Sequence, residues 1–372
     1  MIRTLLFAIG LSVGCAAGAE PTVPAAPAAP AATPEQRAEF AEAYRTYHAL
    51  SAEGKPAEAL PYAQRAFELG ELIYGDDHKN TAALALNLGE TFDKVGQRRD
   101  AIEMLDKAIA LYKRVYGDTA RDVIDPLMAR GNATGVFNAK EKVQFYDDAL
   151  TIARLHVAPD DLLLARLNLE AGIHLLRDGA VDESDRFLAA AYVQYRKQLK
   201  PDDSRLVMAS LWEGKYQLAN QKPRAAEPYL TDVLTALAGN ESPSNPLGQA
   251  AHALLVTTYE ELGDSARATP HVIAIAKAQP WDINKLPVPL YKKDPPYPKE
   301  AKGREGFALV EFTIDADGFV RDARLVTTDG SDAFGAPGVA TIQTWRYAPR
   351  IVDGAPVATP GVKTKVDFKV TP

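Results

Sequence analysis

The residues that could do covalent or acid–base chemistry are present, but they are not grouped in a working pattern. The six histidines, His48, His78, His156, His174, His252 and His271, share no metal-ligand spacing. No G-x-S-x-G, H-E-x-x-H or G-x-x-x-x-G-K-[ST] occurs. Asp315-x-Asp317-Gly318 looks like the opening of a calcium loop, yet Val326 stands where the twelfth position needs a bidentate glutamate. Cys15 is the one cysteine, so neither a disulfide framework nor a cysteine-rich zinc site can form. Asp76-Asp77-His78 falls between two helical stretches, where an aspartate is expected to cap the next helix. The chain is therefore read as a non-enzyme with no cofactor and no metal.

The 372 residues are 47% apolar and 24% charged, a globular composition with room for two or three domains. The net charge of −7, from 42 basic and 49 acidic residues, argues against a nucleic-acid partner, which usually needs a basic footprint. From Trp281 onward thirteen Lys/Arg face twelve Asp/Glu, a net +1, so the acidity belongs to the preceding part. Arg3 precedes a short apolar run, Leu5 to Leu11, and Ala17-Gly18-Ala19 forms a cleavage-like site, so residues 1–19 are expected to be a signal peptide. The run from Leu5 to Ala19 is shorter than the roughly twenty residues a membrane-spanning helix needs. Ser12-Val13-Gly14-Cys15 also loosely matches a lipobox, which leaves lipidation at Cys15 as an alternative to cleavage or retention. Membrane contact is expected only if this end is retained or lipidated. Residues 20–36 are a Pro/Ala-rich linker with proline at nearly every third place. In extended polyproline form such a segment spans about 3.1 Å per residue.

Residues 37–280 repeat with a period of 42. Ala59, Ala101, Lys142, Ser184, Ala226 and Ala268 are separated by 42, 41, 42, 42 and 42 residues. Ala66, Ala108, Ala149, Ala191, Val233 and Ile275 follow with the same gaps. Within a unit, Leu84, Leu88, Thr91, Phe92 and Val95 form one helical stripe, and Ile102, Leu105, Ile109, Tyr112 and Tyr116 form a second. Gly96 separates the two, as a residue suited to ending a helix. Such helix pairs bury their apolar faces only by stacking on one another. About six units are expected. Leu88-Gly89, Phe92, Ala101 and Ala108 make the array resemble tetratricopeptide repeats of the longer, kinesin-light-chain-like kind. The resemblance implies a groove that binds a protein or peptide, and a passive spacer is the alternative. Unit three departs at Phe137 and Lys142, with a breakpoint expected near Gly131-Asn132-Ala133-Thr134-Gly135, and a later unit departs at Gln221.

Helical periodicity stops in a proline-containing linker at 281–291. Beyond it the period becomes two. Ala308, Val310, Phe312 and Ile314 alternate with Leu309, Glu311 and Thr313, and Asp317-Gly318 predicts a two-residue type I′ hairpin turn. A short helix is expected from Asp332 to Thr344 and a last strand from Val362 to Val370, which makes a small α+β domain with a three-stranded antiparallel sheet. Pro296-Tyr297-Pro298, Glu305-Gly306, Asp317-Gly318, Trp345-Arg346-Tyr347, Pro349, Pro356-Val357 and Phe368 make residues 292–372 resemble the TonB C-terminal domain. The resemblance implies a periplasmic, Gram-negative setting and docking to an outer-membrane TonB-dependent transporter or another envelope protein. In that family an extended peptide adds a strand to the sheet edge. Carried over residue by residue, Val366, Phe368, Lys369 and Val370 belong to that edge, and Pro296, Tyr297 and Pro298 lie near the contact. The functional expectation is support of energy-dependent transport. The alternative is a soluble or lipid-anchored adaptor that binds peptides without transducing energy.

Overall fold

The computed structural model describes residues 32–238, 245–278 and 287–370. The expected signal peptide, Cys15 and residues 20–31 of the first linker lie outside the described residues. Twelve helices follow one another: α1 (Pro34–Ala52), α2 (Pro56–Tyr74), α3 (Lys79–Lys94), α4 (Arg98–Tyr116), α5 (Ile124–Ala133), α6 (Ala139–His156), α7 (Leu162–Arg177), α8 (Val181–Gln198), α9 (Ser204–Ala219), α10 (Pro223–Leu237), α11 (Pro246–Glu261) and α12 (Ser265–Ala278). They pack as successive pairs, each stacked on the next. The odd-numbered helices also touch one another across pairs, α3 with α5, α5 with α7, α7 with α9 and α9 with α11. That puts them on the inner side of the array.

Local chemistry sets the helix ends. α1 opens on a capping box, in which Thr33 Oγ1 accepts from the Gln36 amide at 3.2 Å and Gln36 Oε1 from the Thr33 amide at 2.9 Å. Asp161, Asp203 and Asn245 cap α7, α9 and α11. The α3 cap is not an aspartate: His78 Nδ1 accepts from the Asn80 amide at 3.1 Å. The extended backbone at His78 (φ −116°, ψ 141°) aims its ring at the first turn, while Asp76 and Asp77 are exposed. The turns inside pairs use Gly54, Gly96, Gly179 and Gly263 at φ between +71° and +81°. Gln221 takes the same left-handed place in the fifth pair, at φ +56°.

A second column of small residues fixes how each pair crosses. Gly89, Gly131, Gly172 and Gly214 recur at 42, 41 and 42 residues and face Leu105, Tyr146, Leu188 and Leu230. A Cβ on Gly89 would lie 2.7 Å from Leu105 Cγ, and one on Gly172 would lie 2.6 Å from Leu188 Cγ. The partner helix is thus packed directly against the glycine backbone. Unit three is irregular. α5 has only ten residues and lies between short 3-10 turns at Arg121–Val123 and Val136–Asn138. Lys142, in the column of small residues, is buried and ion-paired with Asp178. Phe137 is 97% exposed.

The last part contains β1 (Pro289–Tyr291), β2 (Gly306–Ile314), β3 (Val320–Asp329), α13 (Gly335–Ile342), β4 (Arg346–Tyr347), β5 (Arg350–Val352), β6 (Ala355–Val357) and β7 (Thr359–Phe368). The main sheet is antiparallel in the order β3-β2-β7, and β1–β4 and β5–β6 form two small ribbons. α13 covers one face of the sheet. Ala308, Val310, Phe312 and Ile314 of β2 share the core beneath it with Phe334, Ile342, Trp345, Tyr347, Val362, Val366 and Phe368. β1 arises from residues within the expected 281–291 linker.

The β2–β3 turn is not the predicted two-residue type I′. Only Gly318 has positive φ (+89°), and the loop spans residues 315–319. Asp315 Oδ1 accepts from the Asp317 amide at 3.0 Å and the Phe319 amide at 2.8 Å, so an Asx turn supplies the reversal. The type I′ geometry occurs at Asp353-Gly354 between β5 and β6, with φ of +50° and +79°. The helix expected over Asp332–Thr344 is a 3-10 turn at Asp332–Phe334 followed by α13.

Replacing Gly172 by valine should overpack the α7–α8 crossing and destabilise the array by about 1–3 kcal/mol, measured by urea unfolding. Gly248→Ala is the control: a Cβ there meets nothing closer than 3.6 Å, so it should be neutral or mildly stabilising.

Candidate docking site

The site is built from a sheet edge. β7 runs against β2 from Gly306↔Phe368 to Phe312↔Val362 with no break in register. Its other side carries no strand among the described residues. The opposite edge, β3, is less regular. Its pairing with β2 shifts register twice, and Asp322 has φ +52°. A bulged edge twists away from a straight incoming strand, whereas β7 offers an even row of backbone donors and acceptors from Val362 to Phe368, its one register shift lying before Val362.

Inward and outward side chains alternate along β7. Val362, Val366 and Phe368 are buried, and Lys363, Lys365 and Asp367 are exposed. Lys363 reaches Glu311 on β2 at 3.3 Å, and Arg324 of β3 pairs with the same carboxylate. Those two cations hold the Glu311 carboxyl below its ordinary range, with Arg324 the larger cause. Lys365 lies over the Phe307 ring, 3.9 Å from its centroid.

The sequence-predicted residues gather at the Phe368 end. Phe334 stacks on Phe368 at 4.4 Å, and Tyr297 meets Phe334 edge-on at 6.1 Å. Tyr297 Oη donates to the Arg304 carbonyl at 2.8 Å, which fixes Pro296-Tyr297-Pro298 as an entry turn before a 3-10 turn at Lys299–Ala301. Pro296 is exposed and Pro298 half-buried. Lys369 and Val370 are not part of the strand, which ends at Phe368. Glu305 Oε1 accepts from the Val370 amide at 3.3 Å and draws the chain off the sheet.

A second feature joins this domain to the array. Arg346 of β4 is 1% exposed. It forms an ion pair with Glu260 of α11 and donates to Thr269 Oγ1 of α12 at 3.0 Å and to the Asp317 carbonyl at 2.8 Å. Its guanidinium lies 3.8 Å from the Phe319 ring centroid. Burial pulls its pKa down, and Glu260 opposes that. Tyr291 Oη donates to Glu261 at 2.7 Å, while Tyr291 packs with Val256, Val272 and Ile275. A Cβ on Gly318 would lie 2.2 Å from the Tyr347 carbonyl oxygen and 2.8 Å from Val272 Cγ1. The turn glycine is therefore also needed for close approach. Sequence reading placed Arg346 in a motif but assigned it no partner. Glu260-Glu261 at the end of a helix was the available signal.

Next to this junction, His252 Nδ1 and His271 Nδ1 are 2.8 Å apart. Among the described residues, no group of three or more His, Cys, Asp or Glu side chains could hold a metal. Nor does any described helix have the length and apolarity to cross a membrane.

The comparisons agree with both halves. Residues 41–114 match the tetratricopeptide repeat family model, and residues 293–370 match that of the Gram-negative bacterial TonB protein C-terminal. Protein TonB of Vibrio cholerae serotype O1 is 31% identical over 83 residues, 22% of this chain. The chain spans about a third (34%) of that curated relative. Among solved structures, a kinesin light chain TPR-like repeat protein of Podosopora anserina is 15% identical with a TM-score of 0.47, over 56% of this chain and 97% of that one. The type IV pilus biogenesis factor PilW is 13% identical with a TM-score of 0.44, over 65% of this chain and 92% of that one.

Two outcomes test the junction. Glu260→Ala leaves Arg346 buried without its counter-charge and should cost about 3–5 kcal/mol of junction stability, read as faster hydrogen exchange in α11, α12 and β4. Burial, then His252 and Arg267, lower the His271 pKa to about 4. A depressed histidine favours the neutral form in the fold, so its contribution is complete above about pH 6.5 and lost as pH falls toward 4. The thermal midpoint of the wild type relative to His271→Gln should therefore decline over that interval.

Proposed function

We propose that this chain is a TonB-like protein of the Gram-negative envelope. Its C-terminal domain docks an extended segment of an outer-membrane transporter along β7, and its helical repeats bind a further protein. The observation that carries this reading is the open, regular β7 edge beside the Tyr297–Phe334–Phe368 stack, within a domain that matches the TonB C-terminal family. An added strand would take its affinity from backbone hydrogen bonds and its selectivity from the side chains at the ends of the edge. The setting is the periplasm and the role is support of energy-dependent transport. No catalytic step is assigned to the chain.

A second reading, an adaptor that binds without transmitting force, is favoured by the junction. Arg346 and Glu260 fasten the docking domain to the last helix pair, as suits a scaffold that holds two partners at a fixed distance.

Cysteine crosslinking tests the docking. In the full chain carrying Cys15→Ser, Lys365→Cys should form a mixed disulfide with a transporter box peptide bearing one cysteine. Arg324→Cys, on β3, should not. Equal capture at both positions, or capture at neither, would contradict the assignment of the edge.

A further inference from the structure

The two edges of the main sheet differ in charge as well as in regularity. On β3, Arg321 pairs with Asp315 at 2.8 Å and Arg324 pairs with Glu311. Cations between successive outer, even-numbered helices are matched in the same way, as in Arg186–Asp147 at 2.7 Å and Arg196–Asp232 at 3.2 Å. The β7 edge is not matched. Strand alternation puts Lys363, Lys365 and Asp367 on one face of the sheet, away from the core that holds Val362, Val366 and Phe368, and all three are exposed. Lys363 reaches Glu311 at 3.3 Å, but Arg324 holds the same carboxylate, so two cations share one negative charge. Lys365 makes no ion pair among the described residues and rests on the half-buried Phe307 ring, 3.9 Å from its centroid. A ring contact steadies the ammonium and leaves N–H donors unfilled.

A strand added to β7 brings its own side chains into this row. Residues opposite Lys363 and Lys365 lie on the same face, two places apart, each with its Cβ about 5 Å from that of the lysine. The residues between them face the Thr364 and Val366 side. Asp367 reverses the sign at the next place, so a third carboxylate in line is disfavoured.

We propose that Lys363 and Lys365 select the docked strand: it carries two carboxylate side chains at alternate outward positions, with apolar residues between and beside them. This rests on the reading of β7 as the docking edge and names the chemistry of its partner. Charge complementarity selects the occupant, because two lysines and Arg324 stand against Glu311 in the middle of the regular stretch. Each carboxylate gains a cross-strand ion pair with a lysine, whereas a cation in either place meets a like charge.

The test uses the full chain and three fluorescein-labelled eight-residue peptides that alternate valine with outward residues. The two central outward residues are glutamate, lysine or glutamine, and the flanking ones are threonine in all three. Binding is read by fluorescence anisotropy at low and physiological salt. The glutamate peptide should bind about tenfold more tightly than the lysine peptide, with the glutamine peptide between them, and salt should narrow the gap. Lys365→Glu should abolish the preference for glutamate over lysine and leave the glutamine peptide unchanged, which also shows that the edge is still folded. Lys140→Glu, the same change of charge at an exposed position of α6, should preserve the preference. Equal affinity for the three peptides, or a preference for lysine, overturns the charge selection and leaves the docking edge standing. A glutamate preference that survives Lys365→Glu overturns the assignment to this row. Binding of none of the peptides contradicts the docking edge itself, and the charge selection with it.

Discussion

A charge taken out of water must be met by fixed partners, and Arg346 imposes that requirement on both halves of the molecule. Its guanidinium is enclosed by an α11 carboxylate, an α12 hydroxyl, the Asp317 carbonyl and the Phe319 ring. None of these groups can move far without leaving the charge exposed to an apolar interior, which costs several kcal/mol. The charged part of the contact between the last helix pair and the small sheet domain thus centres on one side chain. Tyr291, packed on Val256, Val272 and Ile275, closes the apolar part of the same contact. A solenoid needs its terminal repeat covered, because each unit shields only its neighbour. The sheet domain supplies that cover and keeps its own β7 edge clear.

The array reaches the same rigidity by a different route. Bulky residues on the second helix of a pair press against glycine on the first, in four successive units. Where unit three lacks the small residue at position 142, a lysine enters the core with Asp178 as its counter-charge, and the preceding helix is shortened. The outer faces are then tied by ion pairs from unit to unit. The helical array and the β7 edge proposed for docking lie on one body, joined at Arg346.

Much of this was legible in the sequence, because it depends on periodicity. The repeat spacing, the alternation in β2 and the switch from helical to strand patterning are local signals. Tyr297 and Phe368 were singled out only through the family resemblance, and their meeting through Phe334 is visible only in the fold. What was not legible depends on backbone geometry or on distant partners. Asp317-Gly318 and Asp353-Gly354 are the same dipeptide, yet only the second forms a type I′ turn. Asp315, two residues before the first, captures the amides and lengthens the loop. His78 displaced the aspartates as a cap because of its extended backbone. Lys369 and Val370 left the strand because Glu305 takes the Val370 amide. The Arg346–Glu260 pair spans 86 residues of sequence, and the adjacent glutamates Glu260-Glu261 mark a carboxylate at a helix end without naming its partner.

Hydrogen exchange of the full chain, with and without a transporter box peptide, tests the central claim most directly. The account predicts slowed exchange at alternate amides of β7, from Val362 to Phe368, with β3 unchanged and the junction amides protected in both states. Protection that falls on β3, or no change along β7 at saturating peptide, would contradict it.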